Sequence, residues 1–506
     1  MISFIIREAG GLERWAAVAG IACLVACAHG SSGSSSGKKT RKPLPSVLGE
    51  RSPREAESGL LPTAPAASGT IAFVGGTVMT GAGERFAPGV VVVVDGRIAQ
   101  VGAADQVQVP EGAKVISIEG RFLTPGLIDT HSHMGVYASP GVQAHADGNE
   151  MTDPTTPYVF SEHAFFPQDP AIDNAVASGV TTVQILPGSG NVIGGRAVTL
   201  KLRPRRETRA MRFPDAPNGL KMACGENPKR VYGGKGRQPM SRMGSVFKLR
   251  NAFIKAREYA YDMKAYEQAH ARWQKAYDEA QADPSKPHPG TEPKRRNRDL
   301  GMETLVDVMA GKIKVHIHCY RADEMLQMLA LGRELGFKVS SFHHATDAYK
   351  IADVLAAEKV GASVWSDWWG FKMEAYDGVE ENAAIVAAIG GLAIIHSDSP
   401  IGVQRLNVDA AKALHAGRRA GLKLSEDEAL KWVTLNPATV LGIEDRAGSI
   451  QKGKMADLVV WDGHPLSIYA RPQQVYIDGV AVFSRDEPYD SWSDFDVGTE
   501  VQQVMP

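Results

Sequence analysis

The feature that most constrains the fold is an alternation of apolar β-like runs and helical segments through the middle of the chain. Runs such as residues 181–186, 314–319 and 392–398 have strand character, whereas residues 321–336 have the apolar spacing of a helix. Strands that alternate with helices form parallel sheets, because a parallel connection needs a crossover longer than a hairpin. The alternation therefore predicts an α/β fold built on a parallel sheet or barrel.

Short strands dominate both ends of this α/β body. Asp95-Gly96 and Asp478-Gly479 each lie between apolar runs, a pattern that favours a two-residue hairpin turn. We therefore expect two strand-rich ends that meet in one small β-domain.

The composition excludes some classes of protein. Of the 506 residues, 43% are hydrophobic, which suits a globular chain better than a disordered one. The 56 basic and 57 acidic side chains nearly cancel, so nucleic acid is not an expected partner. Four cysteines are too few for a disulfide framework, and we expect Cys224 and Cys319 to be thiols beside strands.

The N-terminal segment indicates export. Residues 15–26 form an apolar run that is too short to span a hydrocarbon core of ~30 Å but suits a signal peptide. The run ends in Leu24-Val25-Ala26-Cys27, which resembles a bacterial lipobox, where cleavage exposes a cysteine for lipid attachment. The alternatives are an ordinary secretory signal and a buried N-terminal helix. A Gly/Ser-rich and then Lys/Arg/Pro-rich stretch follows and predicts a flexible tether.

Residues 246–299 form a highly charged insertion. They contain an apolar stripe at helical spacing: Tyr259, Met263, Tyr266, His270, Trp273 and Tyr277. The stripe predicts an amphipathic helix that packs on the body. A substrate lid and an oligomer contact are the alternative roles.

Two histidines at the end of an apolar run predict a metal site. His131 and His133 are two residues apart, so in a strand both imidazoles point to one side and can reach the same ion. Asp129 lies on the same face and could orient a ligand from behind.

Similar polar residues end the later strands. His318 ends one β-like run, His343 and His344 end the next, and Asp398 ends the last. Barrel enzymes place their active-site groups at the carboxyl ends of their strands. The joint pattern therefore predicts one site built from several strands.

These motifs resemble the amidohydrolase superfamily. Residues 179–182 (GVTT), 435–438 (LNPA) and 452–460 (KGKMADLVV) are similar to its imidazolonepropionase-like branch. The resemblance runs from about residue 70 to residue 484, and it implies a TIM-like (β/α)8 barrel with a small β-sandwich formed by both chain ends. The expected order is a signal peptide (1–26), a tether (27–69), the first sandwich part (70–123), the barrel (124–433), the second sandwich part (434–484) and a tail (485–506).

The resemblance also implies a ligand set for one or two divalent ions, with zinc expected. The implied ligands are His131, His133, His318, His344 and Asp398. His344 is preferred to His343, because the family's histidine directly precedes the following loop. The ligand that bridges two ions is usually a carboxylated lysine. Glu226 at the strand end is favoured here over Lys221 within the strand, and the choice stays open.

A metal-dependent hydrolase of amide or peptide carbon–nitrogen bonds follows from this ligand set. The ion would lower the pKa of a bound water towards ~7, and Asp398 would act as general base and then as general acid. Export favours a dipeptidase-like or carboxypeptidase-like activity, and a cyclic amide is another substrate class. The alternatives are a metal-dependent deaminase and a catalytically inactive binding protein.

Four further residues are candidates for substrate binding. Tyr320 and Arg321 could hold a carboxylate, although a salt bridge at a helix start is the competing role for Arg321. His396 could contact substrate or be a barrel histidine, and Arg196 ends a glycine-rich loop that could bind an anion. An aromatic group after a later strand could line the pocket or pack under a loop: Trp365, Trp368, Trp369, Phe371 and Tyr376.

The expected partner is therefore a small amide or peptide. Membrane attachment is expected only through the N-terminal lipid, and a homo-oligomer is compatible with the sequence.

The lipid attachment gives a direct test. In a bacterial host, Cys27→Ala should move the full-length protein from the membrane fraction to the soluble fraction, because the acylated residue is lost. Fractionation followed by immunoblotting measures the shift. Unchanged fractionation would reject lipidation at Cys27.

Overall fold

The computed structural model describes residues 68–204 and 207–487. The predicted signal peptide, Cys27, nearly all of the tether and most of the tail lie outside the described residues. Across the two described ranges, none of the helices is both long enough and apolar enough to cross a bilayer.

Strands and helices follow one another as the sequence pattern predicts. In chain order the strands are β1 Thr70–Val74, β2 Thr77–Met79, β3 Arg85–Phe86, β4 Gly89–Val94, β5 Arg97–Ala103, β6 Lys114–Ser117, β7 Phe122–Pro125, β8 Leu127–Ser132, β9 Val180–Ile185, β10 Ile193–Lys201, β11 Gly219–Ala223, β12 Lys314–His318, β13 Val339–His343, β14 Gly361–Val364, β15 Leu392–Ile395, β16 Leu458–Trp461, β17 Pro472–Ile477 and β18 Val480–Ser484. The helices are α1 Pro170–Ala177, α2 Thr208–Met211, α3 Glu226–Gly233, α4 Arg242–Ala282, α5 Leu300–Met309, α6 Ala322–Leu335, α7 Ala352–Glu358, α8 Asn382–Ala388, α9 Leu406–Arg419, α10 Glu426–Lys431 and α11 Leu435–Leu441.

An eight-stranded sheet in the order β8 to β15 forms a nearly closed barrel. Its first and last strands approach each other at the carboxyl end, where the backbone N–H of Asp398 donates to the carbonyl of His131 at 3.0 Å. Apolar residues of these strands and of the surrounding helices share one large core. The predicted TIM-like α/β barrel is confirmed.

Strand β10 departs from the expected parallel arrangement, because it runs antiparallel to both β9 and β11. Residues 186–192 connect β9 to β10, and so short a link cannot make a parallel crossover. The link packs closely on a neighbouring loop. A side chain at Gly188 would place its Cβ 2.0 Å from Asn149 Nδ2.

Strands from both chain ends share a six-stranded sheet in the order β18-β17-β16-β7-β2-β3. A four-stranded sheet, β5-β4-β1-β6, contacts it through a common apolar cluster that includes Phe73, Val91, Leu123 and Val460. The hairpin predicted at Asp95-Gly96 joins β4 to β5. Its two turn residues have φ values of 47° and 76°, as a type I′ turn requires.

A buried salt bridge ties the barrel to the six-stranded sheet. Lys201, the last residue of β10, is fully buried, and its Nζ lies 3.0 Å from Asp457 Oδ1, just before β16. The same ammonium contacts Asp478 in the turn between β17 and β18, and Arg203 pairs with Asp478 as well. Because both carboxylates sit on the sheet, this ion pair holds the sheet against the barrel.

The charged insertion folds mainly as α4. Its first half packs on the body, where Phe253 is buried and stacks on Phe337 at 4.7 Å. In its second half the returning chain contacts part of the apolar stripe, whose side chains are half-buried there. There Trp273 Nε1 donates to the carbonyl of Gly290 at 3.1 Å, and Tyr277 contacts His288 edge to face.

The buried ion pair predicts a stability effect. Lys201→Met should lower the free energy of unfolding by about 3 kcal/mol, because it leaves the buried Asp457 carboxylate without its cation. Urea-induced unfolding measures the change. The exposed pair formed by Lys286 and Glu279 is the control, and Lys286→Met should change stability by at most about 0.5 kcal/mol. Equal stability of the two variants would contradict the role of Lys201.

Candidate metal centre

All of the histidines predicted from strand ends lie at the carboxyl end of the barrel. The positions are His131 and His133 at and just after the end of β8, His318 at the end of β12, His343 at the end of β13, His344 directly after it, and Asp398 shortly after β15.

Ring nitrogens and carboxylate oxygens converge there. His131 Nε2 and His133 Nε2 lie 3.3 Å apart. Asp398 Oδ1 is 3.6 Å from the first nitrogen and 3.4 Å from the second, and Asp398 Oδ2 is 3.7 Å from His344 Nε2. One donor atom from each of His131, His133 and Asp398 fits within 4.8 Å, which is close enough for a single ion.

Lys221, and not Glu226, lies against this cluster. The Lys221 side chain is buried inside the barrel, with its Nζ 3.4 Å from His131 Nε2, and it donates to the carbonyl of Pro187 at 3.1 Å. Glu226 begins α3 and instead pairs with Lys372 at 3.4 Å. The geometry thus favours Lys221 over Glu226, because a side chain from the middle of β11 projects into the barrel while the first residue of the helix lies at its rim.

His318 has one ring nitrogen without a hydrogen-bond partner among the described residues. This nitrogen is Nδ1, which is buried, whereas the Nε2 of the same ring lies 3.3 Å from Asn227 Nδ2. The His318 and His344 rings are 4.8 Å apart. Asn227 was not predicted from the sequence, because its one signal is its place next to Glu226 at a helix start.

Burial keeps the imidazoles of the site uncharged. It lowers the pKa of His133 to about 3 and that of His396 to about 4. For His131, His318 and His344, burial likewise holds the pKa well below its ordinary value. A neutral imidazole has a lone pair available for a metal ion, whereas an imidazolium does not.

Burial acts in opposite directions on the other two ionisable groups. It lowers the pKa of Lys221 to about 7 and raises that of Asp398 to about 7, and the mutual attraction of the two groups opposes both shifts. Burial therefore favours the neutral amine and the protonated carboxyl group, whereas their mutual attraction favours the charged form of each.

Two residues of the cluster have unusual backbone conformations. His344 and Asp398 have φ values of 57° and 52°, in the left-handed region that residues with a Cβ rarely adopt. Such conformations cost about 1–3 kcal/mol and are concentrated at functional sites. His344 directly follows β13, and Asp398 lies three residues after the end of β15.

His343 supports the cluster from behind. Its Nδ1 lies 2.7 Å from His131 Nδ1, and its Nε2 lies 2.7 Å from Ser341 Oγ. The chain of contacts continues from Ser341 to His316 at 2.8 Å and from His316 to Gln184 at 3.1 Å. The histidine pair is thus divided, with His344 at the site and His343 fixing the orientation of His131.

Asp129 and His396 hold the cluster in a similar way. Asp129 accepts from the backbone N–H of His131 at 3.0 Å and of Ser397 at 3.2 Å, so it joins the ends of β8 and β15. His396 Nε2 lies 2.8 Å from His344 Nδ1, so His396 contacts a candidate ligand.

The predicted substrate-binding residues divide into two groups. Tyr320 is buried and stacks on His344 at 5.7 Å, beside the cluster. Arg321 precedes α6 and makes two hydrogen bonds to Asp323, the helix-start salt bridge that was its alternative role.

Arg196 lies in strand β10, not in a loop as expected. Its guanidinium contacts Thr304 at 2.9 Å and stacks on Phe160, so it faces the outer helical layer. The N–H groups of Gly188 and Gly190 donate to the loop at residues 148–149. These two N–H groups are therefore occupied by another loop of the protein and are not available to bind an anion.

Cys224 and Cys319 form a disulfide, which corrects the expectation of two thiols. Ala223 and His318 are paired in register on β11 and β12, so the residues that follow them are neighbours, with Cα atoms 5.3 Å apart. The sequence alone did not show this pairing, because the two cysteines are 95 residues apart. The bond links the strand of Lys221 to the strand of His318.

Known proteins share this architecture. The sequence profile of the Amidohydrolase family matches residues 376–505. The solved structure of an amidohydrolase from Thermotoga maritima MSB8 has 38% sequence identity and a TM-score of 0.71, and the match covers 82% of this chain and 100% of that chain.

Curated relatives match over part of their length. "Amidohydrolase tasK" of Hapsidospora irregularis is 35% identical over 395 residues, which is 75% of this chain and 38% of that protein. An imidazolonepropionase of Caulobacter vibrioides is 35% identical over 119 residues, 20% of this chain and 29% of that protein. This chain therefore spans less than half the length of each of these relatives.

The positions of Lys221 and Glu226 predict different effects on metal binding. Lys221→Ala should weaken zinc binding at least about 10-fold, because it removes a group that touches the cluster. Glu226→Ala should leave the affinity close to that of the parent. Competition with a chromogenic chelator measures both, and a larger loss for Glu226→Ala would restore Glu226 as the bridging candidate.

Proposed function

Because the chain belongs to the amidohydrolase superfamily, we propose that it is a hydrolase of carbon–nitrogen bonds that uses a divalent metal ion. The observation that carries the proposal is the convergence of neutral imidazole nitrogens and the Asp398 carboxylate at the barrel mouth. Nitrogen donors combined with carboxylate oxygens favour zinc.

The residues present fit such an ion. His131, His133 and Asp398 would hold one ion, and the neighbouring rings of His318 and His344 would hold a second. Lys221 lies against the His131 ring of the first group. The unpartnered Nδ1 of His318 supports the second position, because a buried ring nitrogen without a partner is costly unless a ligand satisfies it.

Asp398 is placed for proton transfer. When bound, the ion would polarise the substrate carbonyl and lower the pKa of a water molecule. Asp398 would accept a proton from the attacking water and donate it to the leaving nitrogen. Its side chain is partly open to solvent, so substrate and water can reach its oxygens.

We further propose that the protein is exported and acts on peptides or N-acylated amino acids. The buried disulfide supports export, because disulfides persist in oxidising compartments such as the periplasm. Outside the cytoplasm, small peptides and acylated amino acids are more accessible substrates than intermediates of intracellular metabolism. A cyclic amide remains a second class to test.

A metal-reconstitution assay tests the activity. The purified protein is stripped with a chelator, reloaded with zinc, manganese or cobalt, and tested on dipeptides, N-acyl amino acids and cyclic amides. A released amine or amino acid indicates an amidase or peptidase, and released ammonia indicates a deaminase. No metal-dependent activity on any of these substrates would count against the proposal.

The role of Asp398 predicts a separation of catalysis from metal binding. Asp398→Asn should lower kcat by about 10³-fold at a zinc concentration that saturates the site, because the amide cannot accept the proton and the loss therefore persists when the ion is bound. Asp445→Asn, at an exposed position, is the matched control and should be fully active. Steady-state kinetics combined with metal analysis measures both, and a kcat near that of the parent for Asp398→Asn would reject the proton-transfer role.

A further inference from the structure

An aromatic loop borders the candidate metal centre. We use this name for residues 365–376, which follow β14. Trp365 stacks on His344 with ring centroids 4.5 Å apart and on His396 at 5.1 Å, and its Nε1 donates to the carbonyl of Ser397 at 3.1 Å. The loop therefore begins in direct contact with the candidate ligands.

Two further rings extend this surface outwards. Trp368 and Phe371 contact Trp365 at centroid distances of 4.8 Å and 5.8 Å, and they contact each other at 5.3 Å. Trp368 is 46% exposed and Phe371 is 47% exposed. Large apolar side chains that stay exposed together next to a site commonly mark the place where an apolar ligand group binds.

The charged side chains of the aromatic loop are paired with other parts of the protein. Asp367 lies 2.7 Å from Lys412 Nζ, and Glu374 pairs with Arg242 at the start of α4. The third charged residue, Lys372, lies between Glu226 and Glu374. These pairs fix both halves of the loop and compensate its charges. The Lys372 ammonium also lies 4.0 Å from the centre of the Tyr320 ring, and Trp368 and Phe371 form the exposed apolar part of the loop.

A further aromatic ring lies beside the cluster at His133. The Tyr137 ring lies 5.8 Å from the His133 ring, and its hydroxyl is held by Asn149 Nδ2 at 2.6 Å. Tyr137 is 40% exposed. Aromatic rings thus adjoin the cluster both at His344 and at His133.

We propose that the substrate carries an uncharged apolar group, preferably an aromatic ring, next to its scissile amide bond, and that Trp368 and Phe371 bind this group. This inference rests on the proposed function, because it assigns a substrate class to the same site. The salt bridges hold the loop in place before binding, so little ordering is needed when the ring docks.

A dipeptide series tests the inference. Ala-Phe, Phe-Ala, Ala-Ala, Ala-Asp and Ala-Lys are compared on the zinc-loaded enzyme. At least one phenylalanine dipeptide should have a kcat/KM about 10-fold or more above that of Ala-Ala. Trp368→Ala and Phe371→Ala should reduce the ratio of kcat/KM for the phenylalanine dipeptide to kcat/KM for Ala-Ala about 10-fold. They should do so by raising KM for the phenylalanine dipeptide, with bound zinc unchanged.

Phe247→Ala is the matched control. Phe247 is 53% exposed on α4, and its removal should leave the ratio unchanged. A second measurement uses fluorescence titration with N-acetylphenylalaninamide and N-acetylalaninamide. The aromatic amide should bind about 10-fold more tightly, and Phe371→Ala should abolish the difference.

The outcomes separate the two proposals. Hydrolysis with equal kcat/KM for all the dipeptides would overturn the apolar subsite and leave the proposed function standing. Selective binding of the aromatic amide without hydrolysis of any substrate would support the subsite and count against the hydrolase. Equal binding of both amides without hydrolysis would overturn both proposals. Trp368→Ala and Phe371→Ala variants with unchanged kcat/KM for every dipeptide would overturn the subsite alone.

Discussion

The structure depends on keeping a group of buried imidazoles uncharged and correctly oriented at one end of the barrel. Water is largely excluded from His131 and His344, so burial makes their protonated forms costly. One nitrogen of each ring must then form a hydrogen bond within the protein, while the other nitrogen faces the site. His343 does this for His131, and His396 does it for His344.

This requirement accounts for an unusually polar barrel interior. Ser341, His316 and Gln184 continue the chain of contacts from His343 towards the middle of the barrel, where aliphatic side chains would otherwise be expected. Buried polar groups are stable only when their hydrogen bonds are made, so this chain constrains several strands at once. The Cys224–Cys319 bond adds a covalent link between two of the same strands.

Local pattern was sufficient to predict much of the site. The spacing of His131 and His133, and the polar residues at the ends of later strands, follow from strand geometry and barrel topology. The choice of Lys221 over Glu226 could not be made this way, because it depends on which side chain projects into the barrel. The direction of β10 and the place of Arg196 on its outer face were missed for a similar reason.

The sequence by itself determined the class of fold, the strand ends that carry the candidate ligands and the hairpin at Asp95-Gly96, because these follow from periodicity and turn chemistry over a few neighbouring residues. Only the tertiary structure decided the different roles of His343 and His344, the disulfide, and the exposure of Trp368 and Phe371 beside the site. These features depend on contacts between segments far apart in the chain, which no local pattern encodes.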